Sequence, residues 1–413
     1  MQLIDALRYS LGSSLALVGA GGKTTAMFRI AREILTATFI EHTDQTVFVS
    51  TTTHLGSWQT KLADHFVLIH SLSDIKDLDK QYPKGIVLLV GAKKNNLLKG
   101  LTYEQLNRLH ELAKKRNISL LIEADGSRLH PLKAPARHEP AIPDFIQNVI
   151  VVAGLQGLGK PLTLDWVHRP ERFAELSGLH LGDDITGEAL LNVLLHSAGG
   201  LKGIPSGARR IVLLNQADTP ELQSQAKVIS ERLMTNYHAS IIASLWSENA
   251  GLSPPSGKKH ALQTGIFATI EPIGGVILAA GGSSRFGHTK QLLPWYGQPL
   301  IRHIAKTALK SGLSPVVIVV GAAASEVASA IEDLPVRIVI NQEWITGLSS
   351  SIKKGIESLP KDIGGVVFLQ GDQPQIPHSL VKSLVEMHQM SLSPIIVPLI
   401  DGQRGNPALF DKR

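Results

Sequence analysis

Leu278–Lys290 reads LAAGGSSRFGHTK. It continues the apolar run Gly275–Leu278, which has the character of a buried strand end. A strand that feeds a Gly/Ser-rich turn presents several backbone N–H groups to a phosphate chain. Arg285 and Lys290 add fixed positive charge at the same place. Nucleotidyl and phosphoryl transfer depend on positioning and charge neutralisation more than on covalent chemistry. An ordinary turn with two solvated cations is the plain alternative, and the spacing of both cations after the strand favours phosphate binding.

Moving outward, Val366–Gln370 is a second apolar run, and it delivers Asp372 to the ligand edge that an open α/β sheet forms beyond its strand ends. A carboxylate there suits Mg²⁺, whose remaining ligands come from substrate phosphates. The competing reading is a turn aspartate ahead of Pro374. LAAG-x-S-x-R-F-G-x-x-K resembles the signature loop of the nucleotidyltransferases that act on molybdenum cofactor. Gln291–Pro299 (QLLPWYGQP), Asn341–Gly355 (NQEWITGLSSSIKKG), Gln370–Pro374 (QGDQP) and Gly405–Phe410 (GNPALF) keep step with it. The resemblance implies that Gly281, Gly282, Ser283 and Ser284 hold nucleotide phosphates. It implies that Arg285 and Lys290 neutralise the triphosphate, that Asp372 binds Mg²⁺, and that Asn406 and Pro407 face the second substrate. Ala280 is typical of the cytidylyl branch, so the expected donor is CTP and the expected acceptor molybdopterin. Ser349 and Ser351 are either hydroxyl contacts or the solvated start of a helix. Residues 273–413 are fewer than the roughly 190 usual for such domains, which are of common domain size, so the family's final elements are expected to lack a counterpart.

A second phosphate-type loop lies near the start of the chain. Leu15–Thr25 reads LALVGAGGKTT: an apolar strand, then Gly21 and Gly22, then Lys23, Thr24 and Thr25 opening a helix. Glycine N–H groups around phosphate, a lysine on β/γ oxygens and a threonine hydroxyl on Mg²⁺ are the working parts of a P-loop. Residue 17, where the standard pattern has its first glycine, is Leu17, and the shorter form resembles the loop of the Mur ligases. Leu120–Gly126 (LLIEADG) brings Glu123 and Asp125 to a glycine turn, where either would hold Mg²⁺ directly or through water. Ser50–His54 (STTTH) offers hydroxyls after another strand. Ile211–Asp218 (IVLLNQAD) places Asn215 and Asp218 in an Asn-x-x-Asp arrangement similar to the guanine-reading motif of GTPases, with Gln216 in place of lysine. A chance turn is the alternative, and the nucleotide is ATP or GTP. VGAGGKTT, STTTH, EADGS, GKPL (Gly159–Leu162) and HRPE (His168–Glu171) together resemble accessory proteins linked to selenium-dependent molybdenum hydroxylases. That implies a hydroxylase apoenzyme as a partner.

Strand-like runs alternate with amphipathic stretches throughout, which predicts an α/β chain of two Rossmann-like three-layer domains with mostly parallel sheets, the first P-loop-type and the second nucleotidyltransferase-type. The expected organisation is an accessory domain over 1–265, a Ser/Pro/Gly/Lys-rich linker over 247–272 and a transferase domain over 273–413. Charged residues are 18% and hydrophobic residues 43% of the 413, with a formal net charge of +6, which suits anionic small molecules. The chain has no cysteine, so disulfides, thiolate nucleophiles and Cys-ligated metals are excluded. No Lys/Arg block interleaves with aromatics, so no nucleic-acid partner is expected. No apolar run approaches the roughly 18 residues of a membrane span, and the expected location is the cytoplasm. The expected activity is CMP transfer to molybdopterin. The alternatives are guanylyl transfer, transfer to a sugar phosphate, and a non-catalytic molybdopterin carrier or chaperone.

Overall fold

The computed structural model describes residues 1–37, 45–245, 265–282 and 287–413. These divide into two compact units, Met1–Ile270 and Glu271–Arg413.

The first unit is built on nine strands: β1 (Ser14–Gly19), β2 (Thr46–Thr51), β3 (His65–Leu68), β4 (Gly85–Val90), β5 (Ser119–Glu123), β6 (Asn148–Gly154), β7 (Arg209–Asn215), β8 (Ala239–Ser244) and β9 (Gly265–Ile270). Their order across the sheet is β9-β8-β7-β6-β1-β5-β2-β4-β3. All neighbours are parallel except β8 and β9. The central strands are continuous apolar runs because both faces are covered. Alternate residues go to opposite cores: Ala16, Phe48, Ile122 and Val151 to one, Leu17, Val47, Leu121 and Ile150 to the other. Helix α1 (Lys23–Thr36) buries Met27, Ile30 and Ile34 in the second of these cores, and α2 (Tyr103–Lys115) buries Leu106 and Leu109 in the first. Thr102 caps α2 through its hydroxyl on the Gln105 N–H.

Two features differ from the sequence reading. His65–Leu68 is a parallel edge strand that the pattern did not reveal, since it is short and largely exposed. Residues 265–270, assigned to the linker, pair antiparallel with β8 instead. Their sequence, GIFATI, has strand composition, but it directly follows a Pro/Ser/Lys-rich stretch that hides it. Residues 247–264 of that linker lie outside the described residues.

The second unit carries β10 (Ile273–Ala279), β11 (Val316–Val320), β12 (Arg337–Ile340), β13 (Gly365–Gln370), β14 (Ile395–Ile396) and β15 (Ala408–Asp411), ordered β12-β11-β10-β13-β15-β14. The first four in that order are parallel, and β15 pairs antiparallel with β13 and β14. One face packs Ile277, Ile318 and Val367 under α3 (Leu300–Lys310) and α4 (His378–Ser391). The other packs Val276, Val317 and Val319 under Ile352 of α5 (Leu348–Glu357). Each unit is therefore a three-layer α/β sandwich.

Phe48 is 0% exposed and meets Tyr82 edge-on at 6.1 Å between ring centroids. Phe48→Ala is expected to destabilise the first unit by about 3–5 kcal/mol through the cavity it leaves. Chemical denaturation followed by circular dichroism checks the value.

Candidate functional site

In both units the chemistry-bearing residues gather beyond the carboxyl ends of the parallel strands, where open α/β sheets place ligands. In the first unit β1 ends in a loop that only glycine can follow closely. Gly21 has φ +87°, and a Cβ there would fall 2.4 Å from the Gly154 backbone. Gly22 is the N-cap of α1 with φ +114° and makes no side-chain cap bond. The first-turn N–H groups of Lys23, Thr24 and Thr25 are thus left for an anion.

Lys23 is 3% exposed. Its Nζ donates to Gly19 O at 2.7 Å and lies 3.2 Å from Asp125 and 3.7 Å from Glu123. Thr24 Oγ1 donates to Glu123 Oε2 at 2.8 Å and accepts from Gln59 Nε2 at 3.1 Å. Asp125 Oδ2 accepts from the Gly19 N–H at 3.0 Å and from Lys133 Nζ at 2.8 Å. Its other oxygen, Oδ1, is buried without a hydrogen-bond partner. Lys133 also reaches Gly126 O at 2.7 Å and Glu139 at 2.9 Å, and Glu139 receives Arg169 at 2.8 Å. Lys23, Lys133 and Arg169 thus alternate with Glu123, Asp125 and Glu139.

These contacts set the charge states. Burial works against the Lys23 ammonium, yet the Asp125 and Glu123 carboxylates hold its pKa above the ordinary lysine value. Burial lifts Glu123 above the usual glutamate range, with Lys23 and Thr24 opposing. Burial would raise Glu139 too, but hydrogen bonds from Arg169 and Lys133 bring it down to about 2. Burial, then the charges of Arg169, Lys133 and Arg128, push His168 down to about 4.

Of the residues singled out in the sequence, Gly21, Gly22, Lys23, Thr24, Glu123 and Asp125 converge here, and Thr25 lies half-exposed on the same turn. Asn215 is fixed to the loop: its Nδ2 donates to Gly21 O at 2.7 Å and its Oδ1 accepts from Leu245 N at 3.0 Å. Asp218 stands on the same edge, held by Gln156 and Ser244. Lys133 and Glu139 were not anticipated. Their one sequence signal is a lysine flanked by apolar residues and prolines in PLKAP, followed by a glutamate before Pro140.

In the second unit β10 runs into Ala280, which is buried, and Gly281 and Gly282, which are exposed. Ser283, Ser284 and Arg285 lie outside the described residues. The buried Gln291 amide donates to Ala279 O at 3.4 Å and Gly281 O at 3.3 Å, supporting the loop from behind. Lys290, which opens the single turn Lys290–Leu292, and Asp372, two residues past β13, face each other at 4.0 Å, with side chains 42% and 47% exposed. The Gly371 N–H bonded to Leu278 O ties the ends of β10 and β13 together. Asn406 and Pro407 lead directly into β15, next to β13. Ser351 is buried and receives the Asn341 amide at 3.0 Å, so its hydroxyl fixes the start of α5; Ser349 is exposed. The indole of Trp344, unnoticed in the sequence, sits over the loop: a Cβ on Gly282 would lie 2.9 Å from its ring.

Among the described residues no group of three or more His, Asp or Glu side chains is placed to hold a metal ion. Mg²⁺ needs only one or two carboxylates when phosphate oxygens and water complete its shell. The half-exposed Asp372 fits that demand, whereas Asp125 Oδ1, though without a hydrogen bond, already faces the Lys23 ammonium at 3.2 Å. Among the described residues no helix is long and apolar enough to cross a membrane.

The charge states give a pH signature. Native His168 takes its proton only near pH 4, whereas its ordinary value is 6.5. The unfolded chain therefore binds the extra proton first, and stability is expected to fall as pH drops from about 6.5 to about 4. Glu139 adds a second loss as pH falls from its ordinary 4.5 towards about 2. Thermal melts across this range should show both, and His168→Gln should remove the upper one only.

Residues 15–171 match the YqeC protein family, and residues 275–413 match the MobA-like NTP transferase domain. The chain is similar to the uncharacterized protein YqeC of Escherichia coli (strain K12), 33% identical over 208 residues, covering 49% of this chain and 75% of that protein. It is similar to nicotine blue oxidoreductase of Paenarthrobacter nicotinovorans, 34% identical over 143 residues, covering 33% of this chain and 70% of that protein. It is also similar to the probable molybdenum cofactor guanylyltransferase of Bacillus cereus (strain Q1), 30% identical over 130 residues, covering 32% of this chain and 63% of that protein. The chain thus belongs to the YqeC family through its N-terminal half and carries a MobA-like NTP transferase domain, a nucleotidyltransferase, in its C-terminal third.

Proposed function

We propose that the second unit transfers CMP from CTP to the terminal phosphate of molybdopterin, and that the first unit binds ATP or GTP in service of the same maturation, with a molybdenum hydroxylase as the receiving partner. The observation that carries the transfer reading is the Lys290–Asp372 pair, one cation and one carboxylate 4.0 Å apart and half-exposed, beside the loop that Gln291 holds through Gly281 O. A phosphate oxygen of the acceptor attacks the α-phosphorus of the nucleotide. The bond to the β-phosphate breaks, and pyrophosphate leaves. Lys290, with Arg285, neutralises the charge on the departing pyrophosphate, and the loop N–H groups orient the phosphates. Asp372 would hold Mg²⁺, which supplies charge neutralisation across the phosphates. No side-chain nucleophile is required.

Ala280 and the Asn341–Ser351 stretch support CTP as the donor. The Bacillus cereus relative favours GTP as the second reading. Mass analysis of the dinucleotide formed from molybdopterin with each nucleotide decides between them. Incorporation of GMP in preference to CMP would move the chain to the guanylyl branch, and release of no pyrophosphate with any nucleotide would remove the transfer reading. Lys290→Ala and Asp372→Asn are each expected to lower turnover by about 10²–10³-fold, the usual cost of removing one charge-stabilising group. Circular dichroism should show an unchanged fold, since both side chains are half-exposed.

A further inference from the structure

The edge of the first sheet extends beyond the phosphate loop into a second polar group. β7 lies two strands from β1, and β8 three. At about 4.8 Å per strand this is about 10 and 14 Å away, within the span of a nucleotide anchored by its phosphates at the loop. Three strand ends meet there. Gln156, just after β6, donates Nε2 to Asp218 Oδ2 at 2.8 Å. Ser244, the last residue of β8 and 0% exposed, donates Oγ to Asp218 Oδ1 at 2.5 Å. Asn215 ends β7 and joins this group to the phosphate loop through Gly21 O and Leu245 N. Gln216 has φ +61° and carries a buried Oε1 with no hydrogen-bond partner. That oxygen lies against Gly154, the residue that abuts Gly21. The Asp218 carboxylate is thus clamped on both oxygens, half-buried, and oriented by three strands at once.

We propose that Asp218 reads a guanine base, so that the nucleotide of the first unit is a guanosine phosphate. This rests on the phosphate-loop reading of Gly21–Thr25. A carboxylate is an acceptor only, and each oxygen keeps a lone pair after its single bond from Ser244 or Gln156. Its complement is a ligand edge with two adjacent N–H donors in one plane. Guanine has that edge, in N1–H and the exocyclic N2 amine. Adenine puts a bare nitrogen beside its amine, cytosine does the same, and uracil sets one N–H between two carbonyls.

The test is isothermal titration of the full-length protein with the β,γ-imido analogues of GTP and ATP, repeated with Lys23→Ala to isolate binding at the first unit. The Lys23-dependent component is expected to favour the guanosine analogue at least tenfold, within the roughly 5- to 150-fold that a bidentate base contact supplies. Asp218→Asn offers one N–H donor and one acceptor, which complements xanthine. It should weaken the guanosine analogue by about 10- to 100-fold and tighten xanthosine triphosphate. A merely structural Asp218 would produce no such exchange. Equal affinity for both analogues, or an Asp218→Asn variant that loses all nucleotides alike, overturns the guanine assignment while leaving the phosphate loop in place. Binding that Lys23→Ala leaves untouched overturns the phosphate-loop reading, and this proposal with it.

Discussion

The grip on one oxygen of Asp125 is the constraint around which the first unit's site is arranged. The Gly19 N–H and the Lys133 ammonium both bond Oδ2, which fixes the carboxylate plane and turns Oδ1 towards Lys23. Lys133 performs this only because Glu139 and Gly126 O complete its shell, and Glu139 only because Arg169 shares it. Buried charges of this kind persist when each is matched and hydrogen-bonded, and removing one member typically costs about 3–5 kcal/mol. The HRPE segment is therefore part of the ion-pair network around Lys23, although more than 140 residues separate Lys23 from Arg169 in the chain.

The two units handle charge in opposite ways. In the first, three cations and three carboxylates already neutralise one another inside the protein, and Lys23 is further held on Gly19 O. In the second, Lys290 and Asp372 stand apart at 4.0 Å in solvent, where such a pair contributes about 0–1 kcal/mol. Ligands can separate them at little cost. One group is fixed by a buried network, and the other is held loosely at the surface.

Strand-to-glycine transitions were readable from the sequence because a covered parallel strand is a continuous apolar run and the loop after it needs unusual backbone angles. That placed the ends of β1, β5, β10 and β13 and the residues riding on them. The order of strands across each sheet was not readable, since parallel neighbours are joined through crossovers and the pattern of any one strand is silent about its partner. The same holds for Lys133, Glu139 and Arg169: ion pairs are tertiary facts, and no spacing announces them. Trp344 escaped notice for a related reason. An indole in NQEWITG gives no hint that Gly282, some sixty residues earlier, needs its missing Cβ to admit the ring. A short exposed edge such as β3 carries too little burial to leave a period.

The sheet order also governs how the chain can be born. β1 is the central strand, yet both of its neighbours come late: Leu15 pairs with Leu121 on one side and Asn148 on the other. At a synthesis rate of roughly 5–20 residues per second, the ribosome needs about 5–20 s after making β1 before the first of these partners exists. Through that interval Leu15, Leu17 and Val18 have no sheet to enter, and α1 has no core to cover. The strand that organises the whole first unit is therefore the segment that waits longest in its nascent chain, and chaperone contact during translation falls most naturally on residues 14–36.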